Sequence, residues 1–262
     1  MRNINGITKV LFLTGGNRGI GFYMVKQWLE DGKAAAVLDL DCANLLSLQQ
    51  EFPGKLLCFT GDVTDAQAVA DAVSQTHSVL GPIDVAVHNA CLCLFEPQEA
   101  LTPQDYRRVM EVNLLGAVHL AQAVLPGMKE RGAGRLCLTS SGVGVTGFSR
   151  ISAYAASKGA LEALAKCLRL ECRPFGVSVH LLHPPLTDTE SSSPLPVPRE
   201  FKASAEKVGR GLARRLGQRR FIITSSAGDA FNVRMSYLFP LQMGALLDKM
   251  TGRAAQGTSR QV

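Results

Sequence analysis

The chain has 262 residues and a formal charge of +6, and 46% of its residues are hydrophobic. That length allows one large domain or two small ones with a full core, and no Pro/Gly/Ser-rich linker divides it. No apolar run approaches the roughly 18–20 residues that cross a bilayer, and the opening residues hold only a short apolar run before glycines, too short for a secretory signal. These features predict one cytoplasmic domain over residues 1–262.

Short apolar runs alternate with longer segments of helical period. The order begins KVLFLTG, NRGIGFYMVKQWLEDG, AAAVLDLD, CANLLSLQQEF, KLLCFTGD and TDAQAVADAVSQTHSVLG. It continues PIDVAVHNA, TPQDYRRVMEVNLLGAVHLAQAVLPGMKERG, GRLCLTSS, SAYAASKGALEALAKCLRLECRPFG, VSVHLLHPP and RRFIITSS. The strand runs are continuously apolar, as a sheet covered on both faces requires. This pattern predicts a doubly wound parallel α/β sheet of about seven strands. Thr102-Pro103 places a cap before a first-turn proline, and Ser152 is placed to cap the helix that follows it.

The seven cysteines (42, 58, 91, 93, 137, 167, 172) form no CxxC pair and are expected to be buried reduced thiols; the five histidines show no metal-ligand spacing, so no metal is expected. Arg199, Lys202, Lys207, Arg210, Arg214, Arg215, Arg219 and Arg220 concentrate the positive charge. A solvated helix face and the strand start after it account for them; a site for an anionic substrate tail or for membrane headgroups is the alternative. No aromatic interleaving accompanies them, so no nucleic-acid partner is expected.

Two local constellations carry chemistry. After the first strand comes TGGNRGIG, where glycines let the backbone approach a pyrophosphate and a helix N-terminus supplies N–H donors. Gly15, Asn17, Arg18, Gly19, Ile20 and Gly21 are the candidate phosphate-binding residues. Asp39 closes the next strand, where a carboxylate would accept bonds from the ribose hydroxyls and repel a 2′-phosphate, favouring NAD over NADP; Arg18 pulls the other way, and Asp41 is the register alternative. Asp62 and Val63 follow the third strand at the adenine edge, with Thr64 or Asp65 better placed to cap the next helix. The second constellation is Tyr154 and Lys158, one helical turn apart and so on one face. A cation beside a phenol favours the phenolate, which predicts a lowered tyrosine pKa.

Taken in order, these residues resemble the short-chain dehydrogenases/reductases over nearly the whole chain. The family's TGxxxGxG stands as TGGNRGIG, its NNAG as HNAC (88–91), its helix asparagine in EVNLLG, its serine in TSSGVG and its YxxxK as YAASK. Ser141, thirteen residues before Tyr154, is the matched serine. The resemblance implies Tyr154 as general acid/base, Lys158 lowering its pKa and holding the nicotinamide ribose, Ser141 polarising the substrate oxygen, and Asn113 holding a water that links Lys158 to solvent. It also implies cofactor contacts from Asn89, Ala90, Pro184, Thr187 and Thr189. His88, Cys91 and Pro185 depart from the family pattern, and Pro185 removes an N–H beside the nicotinamide.

The resemblance makes 184–203 the substrate loop, together with contacts from 91–98 and 142–151. Residues 225–262 form a long C-terminal extension, like those of relatives acting on retinoids, steroids or sphingoid ketones. Its Phe231, Val233, Met235, Leu238, Phe239, Leu241, Met243 and Leu246 are expected to pack within the protein or a dimer, with a cleft cover or membrane contact as alternatives. The expected activity is NAD-preferring interconversion of a secondary alcohol and a ketone on an apolar small molecule. The rivals are an NADPH-dependent 3-oxoacyl-chain reductase and a non-catalytic nucleotide-binding regulator. A homodimer or homotetramer is expected through the helices 103–131 and 152–174, whose apolar residues cover more faces than one sheet can bury.

Overall fold

Every residue of β1 (Val10–Thr14) is buried, as a strand flanked on both faces has to be. In the computed structural model, residues 9–195, 197 and 199–258 are described. The ends of the 1–262 span, positions 196 and 198 of the 184–203 loop and the last four residues of the 225–262 extension lie outside them.

The chain then alternates: α1 (Gly19–Glu30), β2 (Ala34–Asp39), α2 (Leu46–Glu51), β3 (Leu56–Thr60), α3 (Ala66–Leu80), β4 (Ile83–His88) and α4 (Pro103–Met110). A π-helical turn, Glu111–Leu115, leads into α5 (Gly116–Glu130). Next come β5 (Gly134–Thr139), α6 (Val143–Thr146), α7 (Ser152–Cys172) and β6 (Val177–His183). The short β7 (Thr187–Asp188) and β8 (Ala203–Ser204) pair with each other, and α8 (Ala205–Arg215), β9 (Ile222–Thr224), α9 (Ala227–Leu238) and α10 (Pro240–Thr258) end the described chain.

Seven strands form one parallel sheet in the order β3-β2-β1-β4-β5-β6-β9. The expected doubly wound architecture is therefore present, and its strand order reverses between β1 and β4, where such sheets open a crevice at their carboxyl ends. One core, which includes Phe12, Val69, Leu120, Val124 and Leu161, lies under α3, α5 and α7; the other, which includes Met24, Trp28, Leu48 and Leu212, lies under α1, α2 and α8.

Local signals behave unevenly. Thr102 and Asp105 form a reciprocal capping box on α4, and Asp65 caps α3 by accepting from Gln67 and Ala68 N–H. Ser152 does not cap α7; its hydroxyl instead bonds Gln98 and Tyr106 from neighbouring segments. Of the basic cluster, Arg210 turns onto α1, where it bonds Gln27 and Glu30, and Arg199 pairs with Asp188. All seven cysteines are free, but only Cys137 and Cys172 are fully buried. The helical run Pro103–Glu130 is long and apolar enough, by length and composition, to cross a bilayer, contrary to the sequence expectation. In the fold it covers the sheet, with Ala117, Leu120, Val124 and Met128 buried.

α7 ends in a short 3₁₀ turn, Arg173–Phe175, and the chain reverses at Gly176, which has φ +71°. An added Cβ would sit 2.4 Å from the Gly132 carbonyl oxygen. Gly176→Ala therefore combines a left-handed backbone penalty with a steric clash, and is expected to cost about 2–4 kcal/mol in urea unfolding. A loss below about 0.5 kcal/mol would show that this turn relaxes freely.

Candidate active site

The phosphate loop is built by close backbone approach at the β1–β4 crevice. Gly15, at φ +74°, leaves no room for a Cβ, which would stand 2.6 Å from the backbone of Ala90. Gly21 is tighter still, 2.1 Å from the Gly15 oxygen by the same measure. Asn89 clamps the loop to the sheet: its Nδ2 donates to the Gly15 carbonyl at 2.8 Å and its backbone N–H to Thr14 O at 3.2 Å. Gly19, at φ +60°, starts α1, and Ile20 packs against the core beneath it. Arg18, the residue before α1, makes no side-chain cap, whereas α3, α4, α8 and α9 are all capped by a side chain.

Asp39 closes β2 and accepts the Asn17 backbone N–H at 2.8 Å. Asp41 lies in the loop beyond and takes the Asn17 side-chain amide at 3.2 Å. Asp62 follows β3 and turns back to accept the Thr64 N–H at 2.9 Å. Val63 is buried against Gly116, with its carbonyl 2.9 Å from His119 Nδ1. Across the crevice, the segment after Pro184 descends on the phosphate loop. Thr187 bonds the Pro185 carbonyl at 2.7 Å, the Thr189 methyl would lie 3.1 Å from a Cβ on Gly19, and Glu190 forms an ion pair with Arg18. A groove of ≈ 650 Å³ runs between Arg18, Gly19, Thr189 and Arg199.

Tyr154 and Lys158 come from the inner face of α7, and the spacing does bring them together: Nζ lies 5.4 Å from the phenol ring centre. Lys158 is 1% exposed and donates to the Thr139 carbonyl at 2.8 Å. Asn113 sits in the π-helical turn and is fully buried. Its Oδ1 accepts the Leu92 N–H at 2.7 Å, while Nδ2 donates to Leu92 O and Ser157 Oγ. Both amide hydrogens are thus spent within the protein, so the side chain braces the post-β4 segment against α7 and has one lone pair left for a water. Ser141, just past β5, lies on the same side of the crevice, near enough to Tyr154 to oppose the rise in the phenol's pKa.

The electrostatics differ from the sequence expectation. Burial pushes the Tyr154 phenol well above its ordinary value of about 10, and the Cys91 and Cys93 thiols add to this, while Ser141 opposes it. Burial also lowers Lys158. Helical spacing predicts proximity correctly, but it does not report the loss of water around both groups. His88, in the place of the family asparagine, is buried with Nδ1 3.0 Å from Thr14 Oγ1; burial and Lys158 push it down to about 3, so it is neutral.

Two residues unmarked by any motif complete the surroundings. Glu162, one turn beyond Lys158, continues the polar stripe of α7, and Tyr237 of α9 reaches its carboxylate. The signal for Glu162 was its four-residue spacing from Lys158; none existed for Tyr237.

Against known proteins, the short chain dehydrogenase family matches residues 9–198. The chain is 34% identical to a 3-ketodihydrosphingosine reductase of Bos taurus over 68% of its own length and 56% of that protein's. It is 36% identical to a Bos taurus L-fucose dehydrogenase, covering 67% of its own length and 65% of the relative's. The chain therefore spans about 56–65% of these curated relatives. A Streptomyces avermitilis short-chain dehydrogenase structure superposes with a TM-score of 0.78 at 24% identity, covering 96% of this chain and 99% of its own. A Burkholderia cenocepacia J2315 short chain dehydrogenase in complex with NADP gives 0.77 at 24% identity, covering 93% and 97%. These two show the same fold. The family match runs from β1 past β6 and takes in the phosphate loop and the Tyr154–Lys158 pair: the chain belongs to the short chain dehydrogenase family.

Proposed function

We propose that the protein is a nicotinamide-dependent oxidoreductase interconverting a secondary alcohol and a ketone, with NAD(H) preferred over NADP(H). The observation that carries this reading is the convergence of Ser141, Tyr154 and Lys158 beside the glycine-lined crevice. The crevice suits a dinucleotide, because the first N–H groups of α1 have no side-chain acceptor and the glycines leave backbone open to a pyrophosphate. When bound, that cofactor supplies or accepts the hydride.

The chain's own residues manage the proton. Ser141 orients the substrate oxygen, and the Tyr154 hydroxyl gives it a proton in reduction or takes one in oxidation. Lys158 has three N–H donors and spends one on Thr139, which leaves two for the ribose. Gly15, Asn17, Gly19, Ile20 and Gly21 would cradle the pyrophosphate, Asp62, Val63, Asn89 and Ala90 would line the adenosine and ribose, and Pro184, Thr187 and Thr189 would cover the nicotinamide side. Asp39 keeps one carboxylate oxygen free for ribose hydroxyls and would repel a 2′-phosphate, while Glu190 competes for Arg18, the one cation on this loop. An apolar substrate is favoured because the loops flanking Tyr154 meet through Phe95 and Phe148, with ring centres 6.4 Å apart. The sphingoid-ketone relative supports that class, and the fucose relative supports the alcohol–ketone chemistry in general.

A dimer or tetramer is part of the same reading. An apolar groove of ≈ 390 Å³ lies on the outer faces of α5 and α7, lined by Val118, Ala121, Leu125, Leu164 and Leu168. Light scattering at micromolar concentration should give a multiple of the 28.1 kDa chain mass; the monomer mass alone would refute pairing there.

Calorimetric titration should show NAD(H) binding at least about tenfold more tightly than NADP(H), equivalent to about 1.4 kcal/mol. Equal affinities, or the reverse order, would overturn the Asp39 assignment and leave Arg18 as the selector.

Tyr154→Phe should keep the fold and NAD affinity while lowering turnover at least about a hundredfold on a panel of sphingoid, steroid, acyl and small ketones. Lys158→Ala should lose cofactor affinity as well. A phenol with raised pKa stays protonated through neutral pH, which arms it as an acid. Ketone reduction should therefore hold steady from about pH 6 to 8, and alcohol oxidation should climb across that range as the ionised fraction grows. Oxidation that plateaus below about pH 7 would contradict the burial of this hydroxyl.

A further inference from the structure

One buried ionised group has no part in the chemistry above. Glu162 is 4% exposed on the inner face of α7. Its Oε1 accepts from Ser140 Oγ at 2.6 Å and from His183 Nε2 at 2.7 Å, and its Oε2 accepts from the Tyr237 hydroxyl. Burial pushes this carboxyl up, but the bonds from His183, Ser140 and Tyr237 outweigh it and hold the group below its ordinary value. A carboxylate this dry is retained only with its oxygens satisfied.

The three donors come from three segments that frame the candidate active site. Ser140 immediately precedes Ser141, and His183 ends β6 directly before Pro184. Tyr237 belongs to the C-terminal helices. His183 is fully buried and, among the described residues, its Nδ1 has no partner, so Glu162 provides the only hydrogen bond there that orients its ring. Beyond Tyr237, the C-terminal helices rest on the α6 segment. A Cβ on Gly244 would stand 2.9 Å from the Thr146 and Gly147 oxygens, and Asp248 accepts the Ser149 N–H at 3.0 Å.

We propose that Glu162 is a positioning residue that holds the Ser141 segment, the Pro184 segment and α9 in register, and that Tyr237 acts through it to place the C-terminal helices against the 142–151 substrate loop. The proposal rests on the alcohol–ketone reading for its kinetic consequences, but not for its structural ones. Tyr237→Phe removes one hydroxyl. Glu162→Gln keeps the shape while replacing an accepting oxygen by a donor.

The test combines ketone-reduction kinetics with amide hydrogen exchange of Tyr237→Phe, Glu162→Gln and the double variant. Tyr237→Phe should raise KM about fivefold or more with kcat within about twofold, and Glu162→Gln should lower kcat about tenfold as well. In the Glu162→Gln background, Tyr237→Phe should change KM by less than about twofold, because the two residues act as one unit. Exchange should quicken over 227–250 in Tyr237→Phe and remain unchanged over 10–40. Additive effects on KM, or wild-type exchange over 227–250 in Tyr237→Phe, would overturn the proposal. If no ketone is turned over, the functional reading fails while exchange still decides this one. If Glu162→Gln does not fold, KM and exchange of Tyr237→Phe decide it.

Discussion

Three polar side chains at successive turns of one buried helix face constrain the rest of this molecule. Tyr154, Lys158 and Glu162 lie on the side of α7 that packs against the sheet, with Ala153, Ser157, Leu161 and Ala165 buried among them. Charge in that position has to be met by protein groups, since water is excluded. The strand ends meet it: Thr139 and Ser140 at the exit of β5, and His183 at the end of β6. In the parallel register Thr139 stands opposite Leu182, so Ser140 and His183 leave their strands side by side. The lengths of β5 and β6 are thereby tied to the helix they face.

The second constraint is the reversal of strand order between β1 and β4. Thr14, at the end of β1, gathers His88, Asn89 and Ala90 around its hydroxyl. The crevice wall is thus a joint between two strands rather than a free loop. The segment after β6 closes the other side through Glu190 and Thr189. The C-terminal helices keep a different balance: one face is held against α6, while Phe231, Leu238, Phe239, Leu241 and Leu246 are exposed. Of the eight apolar residues expected to pack within the protein or a dimer, these five are exposed in the single chain.

Sheet, helices and phosphate loop were legible because they follow from local pattern. Continuous apolar runs, glycines before a helix and Thr102 ahead of Pro103 each act within a few residues. The misreadings at the site share one cause, which is partners distant in sequence. Ser152 fits a cap locally, yet Gln98 and Tyr106 claim it. The phenol's shift depends on burial assembled from the 91–93 segment and the sheet, which the Tyr154–Lys158 spacing does not encode. Tyr237 stands 75 residues from Glu162, and no spacing rule spans that distance.

The π-helical turn at Glu111–Leu115 was equally invisible, because nothing in its residues interrupts the helical period. It amounts to one surplus residue wound into a wider turn, so the sequence positions that face the sheet after it are offset by one residue, about 100° of regular winding, from those before it. Winding the same residues as regular α-helix would turn Ala117, Leu120, Val124 and Met128 off the sheet. The turn that presents Asn113 to Leu92 is the same turn that sets which residues of α5 reach the core, so the site and the core share one irregularity.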